Sequence, residues 1–315
     1  MGRRKKGNPV HGWVNFDKPY GMTSTQAVGK VRWLYSAQKA GHAGTLDPLA
    51  TGILPIALGE ATKTVPFLVE ASKGYEVEIA WGEHRDTLDA EGDVLETSDV
   101  RPSRAAIDAA LPGFLGQISQ IPPKFSAIKI DGKRAYDLAR AGEEPEMKAR
   151  PVTIYALTVI DAAPDRLTLD VHCGKGTYIR SLARDLAIAL GTVGYVKNLR
   201  RTMVGPFTQK TAIGLDSLED LVHRGAAEDK LLGLETALDD IPAFAITENE
   251  HFDIRQGRAI PLLPKAAKDL KAASRPRFIG DLDASRYVLA TFEEKPIALC
   301  EARAGQLSPK RVFQI

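Results

Sequence analysis

The chain of 315 residues lacks the marks of several protein classes. Its two cysteines, Cys173 and Cys300, lie far apart, with no C-x-x-C pair and no clustered histidines. That excludes a disulfide framework or a zinc site as the organising principle and suits a reducing cytoplasm. No stretch approaches the roughly 18 apolar residues of a spanning helix, so no membrane segment is expected. The start, Met1-Gly2-Arg3-Arg4-Lys5-Lys6, is basic, but Gly7-Asn8-Pro9 follows in place of an apolar stretch, and no signal peptide is expected. Residues 1–10 read as a basic arm, either simply solvated or adding phosphate attraction. Charge of one sign is missing too: 42 Lys and Arg against 40 Asp and Glu leave a net charge of +2. A whole-surface nucleic-acid binder is thereby excluded, and any such role must rest on local patches. Internal repeats and low-complexity tracts are absent.

What is present is an ordinary soluble composition, 44% hydrophobic and 26% charged, in a chain long enough for two domains. Residues 41–59, GHAGTLDPLATGILPIALG, stand out. Two glycines flank a histidine, one carboxylate (Asp47) sits at the centre, and an apolar run of strand length closes the stretch. Gly44 and Gly52 permit backbone angles that other residues resist, and Pro48 steers Asp47 away from the α region. A polar loop ahead of a buried strand is one way to fix a reactive group. It is also an ordinary turn whose Asp bonds nearby N–H groups. Residue types alone favour the turn.

Along the chain, residues 12–17 read as a strand ended by the turn Lys18-Pro19-Tyr20-Gly21. Thr23 or Ser24 caps a helix running to about residue 35, and residues 53–58 form a strand. Residues 60–71 read as a helix that Pro66 breaks or shortens. Residues 73–81 alternate, with Tyr75, Val77, Ile79 and Trp81 on one face, as in a half-buried antiparallel strand. Tyr75 there is either core packing or an aromatic platform for a flat ligand. Residues 82–92 read as a solvated, carboxylate-rich turn, because their spacing fits no calcium loop.

Residues 103–111 form a short capped helix. In residues 124–150, Lys124, Lys129, Lys133, Arg134, Arg140, Lys148 and Arg150 are interleaved with Phe125 and Tyr136, and residues 133–141 look helical. This segment is either a grip on a phosphate backbone or, more commonly, an exposed hairpin of mixed charge. Residues 152–160 and 166–173 alternate as strands, 178–190 form a helix and 193–204 another strand. Arg180 falls in the first helical turn, an end that favours anions. A cation placed there implies a carboxylate partner across a site. Short helices are expected at 215–224 and 231–238. After Asp239-Asp240-Ile241-Pro242 the pattern changes to one short helix near 249–256 and strand-like pieces at 276–279, 287–292 and 297–303. That describes a small β-rich second domain.

Six stretches in order resemble the TruB-type pseudouridine synthases. Gly41-His42-Ala43-Gly44-Thr45-Leu46-Asp47-Pro48 with Thr51-Gly52-Ile53-Leu54 is similar to the family's catalytic loop. Lys18-Pro19-Tyr20-Gly21-Met22-Thr23-Ser24 is similar to its K-P-x-G-x-x-S element, and Lys73-Gly74-Tyr75 to the strand bearing its active-site tyrosine. Residues 120–129, QIPPKFSAIK, resemble the start of the bacterial RNA-gripping insertion. Gly176-Thr177-Tyr178-Ile179-Arg180-Ser181-Leu182 and Leu199-Arg200-Arg201-Thr202 resemble the arginine and leucine motifs. One departure is Arg85, where the family commonly has Thr; it bears on the hydrogen bonding of that turn.

The resemblance implies an α+β fold: a mixed, largely antiparallel central sheet flanked by helices over residues 11–240, with the insertion at about 124–150. A PUA-like RNA-binding domain would follow at 243–315. It implies an enzyme that converts uridine 55 in the T-loop of tRNA to pseudouridine. Asp47 would be the nucleophile, at ribose C1′ or uracil C6, since remaking an N-glycosidic bond as C–C calls for an anionic nucleophile. Arg180 would pair with Asp47, and Tyr75 would stack on the flipped base. His42, Leu199, Lys18, Lys124, Lys129, Lys133 and Arg134 would contact the RNA. The implied partner is the tRNA T-stem-loop, with no protein partner, membrane, metal or organic cofactor, for a cytoplasmic monomer. A guide-RNA-dependent enzyme of the same fold and a non-catalytic RNA-binding or RNA-folding protein are the competing readings.

Overall fold

The structure, a computed structural model, describes residues 7–126, 128–130, 132–143 and 146–315. The chain begins with strand β1 (Gly12–Lys18), helix α1 (Ser24–Leu34), strands β2 (Ala40–His42) and β3 (Thr51–Leu58), helix α2 (Val65–Glu70) and strand β4 (Lys73–Trp81). The hairpin of β5 (Glu83–Arg85) and β6 (Val94–Thr97) follows, then helix α3 (Arg104–Ala110) and strand β7 (Gly116–Gln120). The hairpin of β8 (Lys129–Ile130) and β9 (Lys133–Arg134) leads to helix α4 (Ala135–Arg140). Strands β10 (Arg150–Ala163) and β11 (Arg166–Cys173), helix α5 (Ile179–Ala189), strands β12 (Gly194–Val204) and β13 (Phe207–Thr208) and helix α6 (Leu215–His223) complete this part.

Among the described residues, nine strands form one sheet in the order β1-β3-β12-β4-β11-β10-β7, with β2 on β3 and β13 on β12. Every pairing in it is antiparallel except β3 with β12. The fold is therefore the expected α+β class. Burial explains the contrast between its strands. In β3, Leu54, Ile56 and Leu58 join the core under α1 and α5, while Ile53 and Ala57 join a second core on the opposite face. A strand buried on both faces reads as a continuous apolar run. β4 buries Tyr75, Val77, Ile79 and Trp81 and leaves Glu76 exposed, so it alternates. Each such buried side chain contributes about 1.5–3 kcal/mol.

Helix α1 starts where Thr23 accepts from Gln26 N–H and the Gln26 side chain accepts from Thr23 N–H, a full capping box. Pro66 lies near the start of α2 and does not break it; the preceding turn, Gly59–Lys63, is a separate 3-10 helix. The expected helix at 231–238 is instead the 3-10 turn Leu234–Leu238, following a second one at Ala227–Lys230. The expected helix at 133–141 begins with the β9 pair and turns helical only at Ala135.

The last part holds β14 (Ala243–Ala245), α7 (Glu248–Arg255), β15 (Ile260–Pro261), α8 (Pro264–Ala273), β16 (Phe278–Ile279), β17 (Leu282–Asp283), β18 (Tyr287–Phe292), β19 (Lys295–Arg303) and β20 (Gln306–Val312). A five-stranded sheet runs β14-β18-β19-β20-β15. The expectation of a single short helix here is corrected: α8 is a second, with Pro264 at its start and Leu270 as its buried anchor. Its lysines lie on the exposed face of an alanine-rich helix. The two sheets share a core in which Trp13, Ile53 and Phe67 meet Tyr287, Leu289, Leu299 and Phe313. Lys63 Nζ to the Val312 carbonyl (2.7 Å) and Gln314 N–H to Glu60 Oε2 (2.8 Å) tie the chain end to the 3-10 turn that follows β3. No helix among the described residues is long and apolar enough to cross a membrane.

Candidate active site

Asp47 lies on the loop between β2 and β3, where the Ala50 N–H donates to the Asp47 carbonyl at 3.1 Å and closes a turn around Pro48. Three buried groups hold that loop from behind. Lys18 is wholly buried, and its ammonium donates to the carbonyls of Pro19 (3.0 Å), Met22 (2.7 Å) and Pro48 (3.1 Å). Ser24 Oγ donates to the Leu46 carbonyl at 3.0 Å and accepts from the Leu46 N–H at 2.9 Å. Arg201, also buried, donates to the carbonyls of Ile53 (2.7 Å), Gly44 (3.0 Å) and Thr45 (3.4 Å). Gly52 has φ +99°, and a Cβ there would run into the Arg201 backbone across the β3–β12 pairing. Burial pushes the Lys18 ammonium down to about 8, with Asp47 opposing the fall and Arg201 adding to it.

With its loop so anchored, the Asp47 side chain is still 41% exposed. Arg180, by contrast, is 6% exposed. Its Nη2 lies 2.9 Å from Asp47 Oδ2 and donates to the Phe125 carbonyl at 2.9 Å. Its Nη1 donates to the Thr87 carbonyl at 2.8 Å and lies 3.4 Å from Asp89 Oδ2. Two carboxylates and two carbonyls thus offset the unfavourable place of a cation in the first turn of α5. The start of that helix is held by Gln120, whose Oε1 accepts from Tyr178 N–H (2.8 Å) and whose Nε2 donates to the Tyr178 carbonyl (3.1 Å).

Tyr75 on β4 pairs in register with Arg201 on β12. Burial raises the Tyr75 pKa and the Arg201 guanidinium works against that rise, so the phenol stays neutral. Leu199, two residues earlier on β12, packs against the same core. His42, half-buried on β2, is held below its ordinary pKa by burial and by Arg201. Its imidazole is therefore neutral at pH 7.

The other expected contacts divide. Lys18 is not presented to solvent; its three donors are spent on the turn and the Asp47 loop, which makes it an anchor of the loop. Lys124 and Lys133 are exposed. The side chains of Lys129 and Arg134 lie outside the described ones, as do residues 1–6 of the basic arm. The root of the insertion is bound to α5: Ser181 Oγ and Arg184 Nη2 both donate to the Ile121 carbonyl, at 2.8 and 3.0 Å.

Two residues of the centre were missed from sequence. Asp89 belongs to a turn read as solvated, yet it is buried and held by Thr87 Oγ1 (2.6 Å) and Glu91 N–H (3.1 Å). The signal was Leu88, an apolar residue inside an acidic turn, whose burial draws Asp89 in with it. Arg201 carried only its place beside Leu199 and Arg200.

The sequence model described as "TruB family pseudouridylate synthase (N terminal domain)" matches residues 32–179, and the "tRNA pseudouridylate synthase B C-terminal domain" matches residues 180–241. A relative from Caulobacter sp. (strain K31), called tRNA pseudouridine synthase B, is 57% identical over 317 residues, covering 100% of both chains. The chain belongs to the TruB family of pseudouridylate synthases. A second relative of that name, from Dinoroseobacter shibae, is 50% identical over 100% of this chain and 99% of its own. Among solved structures similar to this chain, one titled as a Cbf5-Nop10-Gar1 complex matches with a TM-score of 0.71 and 25% identity over 96% of this chain and 85% of that one. The second family unit ends at residue 241 and contains β12, a strand of the main sheet, so it is not the five-stranded domain that follows.

Proposed function

We propose that this protein converts uridine 55 in the T-loop of tRNA to pseudouridine, with Asp47 as the nucleophile. The observation that carries this reading is the contrast within one ion pair. Asp47 is presented to solvent on a loop clamped by Lys18, Ser24 and Arg201, while its partner Arg180 is buried and oriented by four acceptors. A fixed carboxylate with an oriented cation suits covalent catalysis on a glycosidic bond. In the reaction the N1–C1′ bond breaks, a C5–C1′ bond forms, C5 gives up its proton and N1 gains one, so composition is unchanged.

Tyr75 stacks on the uracil once it is flipped out, with Leu199 lining the pocket and His42 filling space near the vacated position. The exposed basic residues of 124–150 grip the T-stem-loop, and residues 243–315 add a PUA-like RNA surface. The exposed row Lys265, Lys268 and Lys271 on α8 supports that last part. The enzyme acts in the cytoplasm as a monomer without a protein partner. Full-length identity of 57% with a tRNA pseudouridine synthase B, against 25% with the chain from the Cbf5 complex, favours it over a guide-dependent enzyme.

The test is to treat an unmodified tRNA transcript with purified protein alone and map pseudouridine. One product at position 55 is expected. Asp47→Asn should lower turnover by at least about 10⁴-fold while tRNA binding survives. Near-normal turnover in that variant, or a need for an added guide or partner, would sink the reading.

A further inference from the structure

Arg85 has no part in the roles assigned above, yet its side chain is fully engaged. Its Nε and Nη2 donate to Glu83 Oε2 at 2.9 and 2.6 Å. Its Nη1 donates to the carbonyls of Ala90 and Gly92, each at 3.2 Å. The guanidinium also lies 4.4 Å from the centre of the Tyr195 ring, a cation–π contact on one of its faces.

Arg85 precedes the loop of residues 86–92, and the carbonyls of Ala90 and Gly92 lie at the loop's far end, while Glu83 and Tyr195 hold the guanidinium from β5 and β12. The loop folds back on itself, with Asp86 N–H donating to the Asp93 carbonyl (3.1 Å) and Asp93 N–H to Asp86 Oδ1 (3.0 Å). Leu88 at its apex has φ +64°, a left-handed conformation that such a residue keeps only when its surroundings fix it. The same loop supplies two of the four acceptors of Arg180, the Thr87 carbonyl and the Asp89 carboxylate.

We propose that Arg85 is a positioning residue of the catalytic centre, a clasp across the base of the 86–92 loop. It fixes Thr87 and Asp89 so that Arg180 is held against Asp47. This rests on the functional reading of Arg180 and Asp47 given above. Arginine suits the task because its planar fork serves a carboxylate and two carbonyls at once, which a lysine ammonium on a flexible stem does not. A lone exposed ion pair would contribute little. Here the pair, two carbonyl bonds and a ring contact converge on one guanidinium, and the two carbonyl bonds tie it to the far end of the loop.

The experiment compares kcat and KM on an unmodified tRNA transcript for wild type, Arg85→Lys, Arg85→Met, Asp89→Asn and the double variant Arg85→Met/Asp89→Asn, with a melting curve for each. Small displacements of a catalytic group reduce turnover by up to about a hundredfold, so Arg85→Met should lower kcat by about ten- to a hundredfold with KM little changed. Arg85→Lys should recover only a minor part of that loss. The double variant should be no slower than Asp89→Asn, because both changes act through the same loop. If Arg85→Met fails to fold, Arg85→Lys and Glu83→Gln carry the same comparison, each expected to lower kcat in the Asp89 background no further. Wild-type kcat in Arg85→Met, or losses that multiply in the double variant, would overturn the clasp alone. An Asp89→Asn variant with wild-type turnover would overturn the Arg180 reading and the clasp with it.

Discussion

Arg180 Nη2 lies 2.9 Å from Asp47 Oδ2, and the cation is buried while the carboxylate is open to solvent. The open side of Asp47 is where substrate can approach, and the closed side of Arg180 is where the protein fixes direction. Arg180→Lys keeps the charge but loses the fork that reaches Thr87, Phe125, Asp89 and Asp47 together. We expect kcat to fall by about 10²- to 10³-fold with a much smaller change in KM, a split that steady-state kinetics on a tRNA transcript reads directly. A rise in KM at unchanged kcat would mean that Arg180 only binds RNA.

Arg201 holds the opposite end of the loop. It is buried and spends its donors on the carbonyls of Gly44, Thr45 and Ile53. Arg201→Met removes the donor from these carbonyls, and hydrogen bonds to a charged group contribute about 1.5–3 kcal/mol each, so the two shorter bonds, to Ile53 and Gly44, imply a loss of about 3–6 kcal/mol. Denaturant unfolding should show a lower midpoint at unchanged slope. A variant as stable as wild type would mean that the loop is held by Lys18 and Ser24 alone.

These two arginines mark where the sequence is legible. Arg180 is readable because a cation at a helix start has no local reason and implies a partner elsewhere. Tyr75 is readable because β4 pairs with β11 without a shift and its own alternation survives. Arg201 is not, because β12 shifts register against β4 between Val196 and Asn198 and again between Arg201 and Met203. Counting alternate residues along β12 then fails to show which side chains turn inward. Lys18 is hidden for another reason. A lysine in a Lys-Pro turn looks solvated, and only the folded chain brings the Pro48 carbonyl to it. The paired sheets, the capped helices and the Asp47 loop follow local rules. The residues that clamp the loop depend on contacts between distant parts of the chain.

Lys18 also makes a pH prediction. Burial holds its ammonium down to about 8, although Asp47 pulls the other way. A neutral amine has two protons for the three carbonyls of Pro19, Met22 and Pro48, so the anchor weakens above that pH. We expect kcat to decline along an alkaline limb centred near pH 8. Lys18→Met should be slow at every pH and lack the limb. Stability moves the other way: the folded chain releases this proton near 8 and the unfolded chain near 10.5. Between those values the unfolded state binds more protons, and the Lys18 contribution to stability rises with pH. A decline caused by Lys18 therefore precedes any unfolding, and the same limb in Lys18→Met would rule Lys18 out.

The basic segment is tested by salt. Lys133 and Lys148 are exposed on the insertion whose root Ser181 and Arg184 bind to α5. Each phosphate contact releases counterions, so the affinity for tRNA should fall steeply as salt rises. Replacing both lysines by alanine should flatten the plot of log affinity against log salt by about 1.5, since each contact contributes a slope of about 0.7–0.9. Affinity should drop most at low salt, where that contribution is largest, and the wild-type and variant curves should converge as salt increases. Such convergence separates a phosphate grip from a folding defect, which would lower affinity by a similar factor at every salt concentration. Parallel curves would remove these two lysines from the RNA interface and leave the row on α8 as the place to look for the charge.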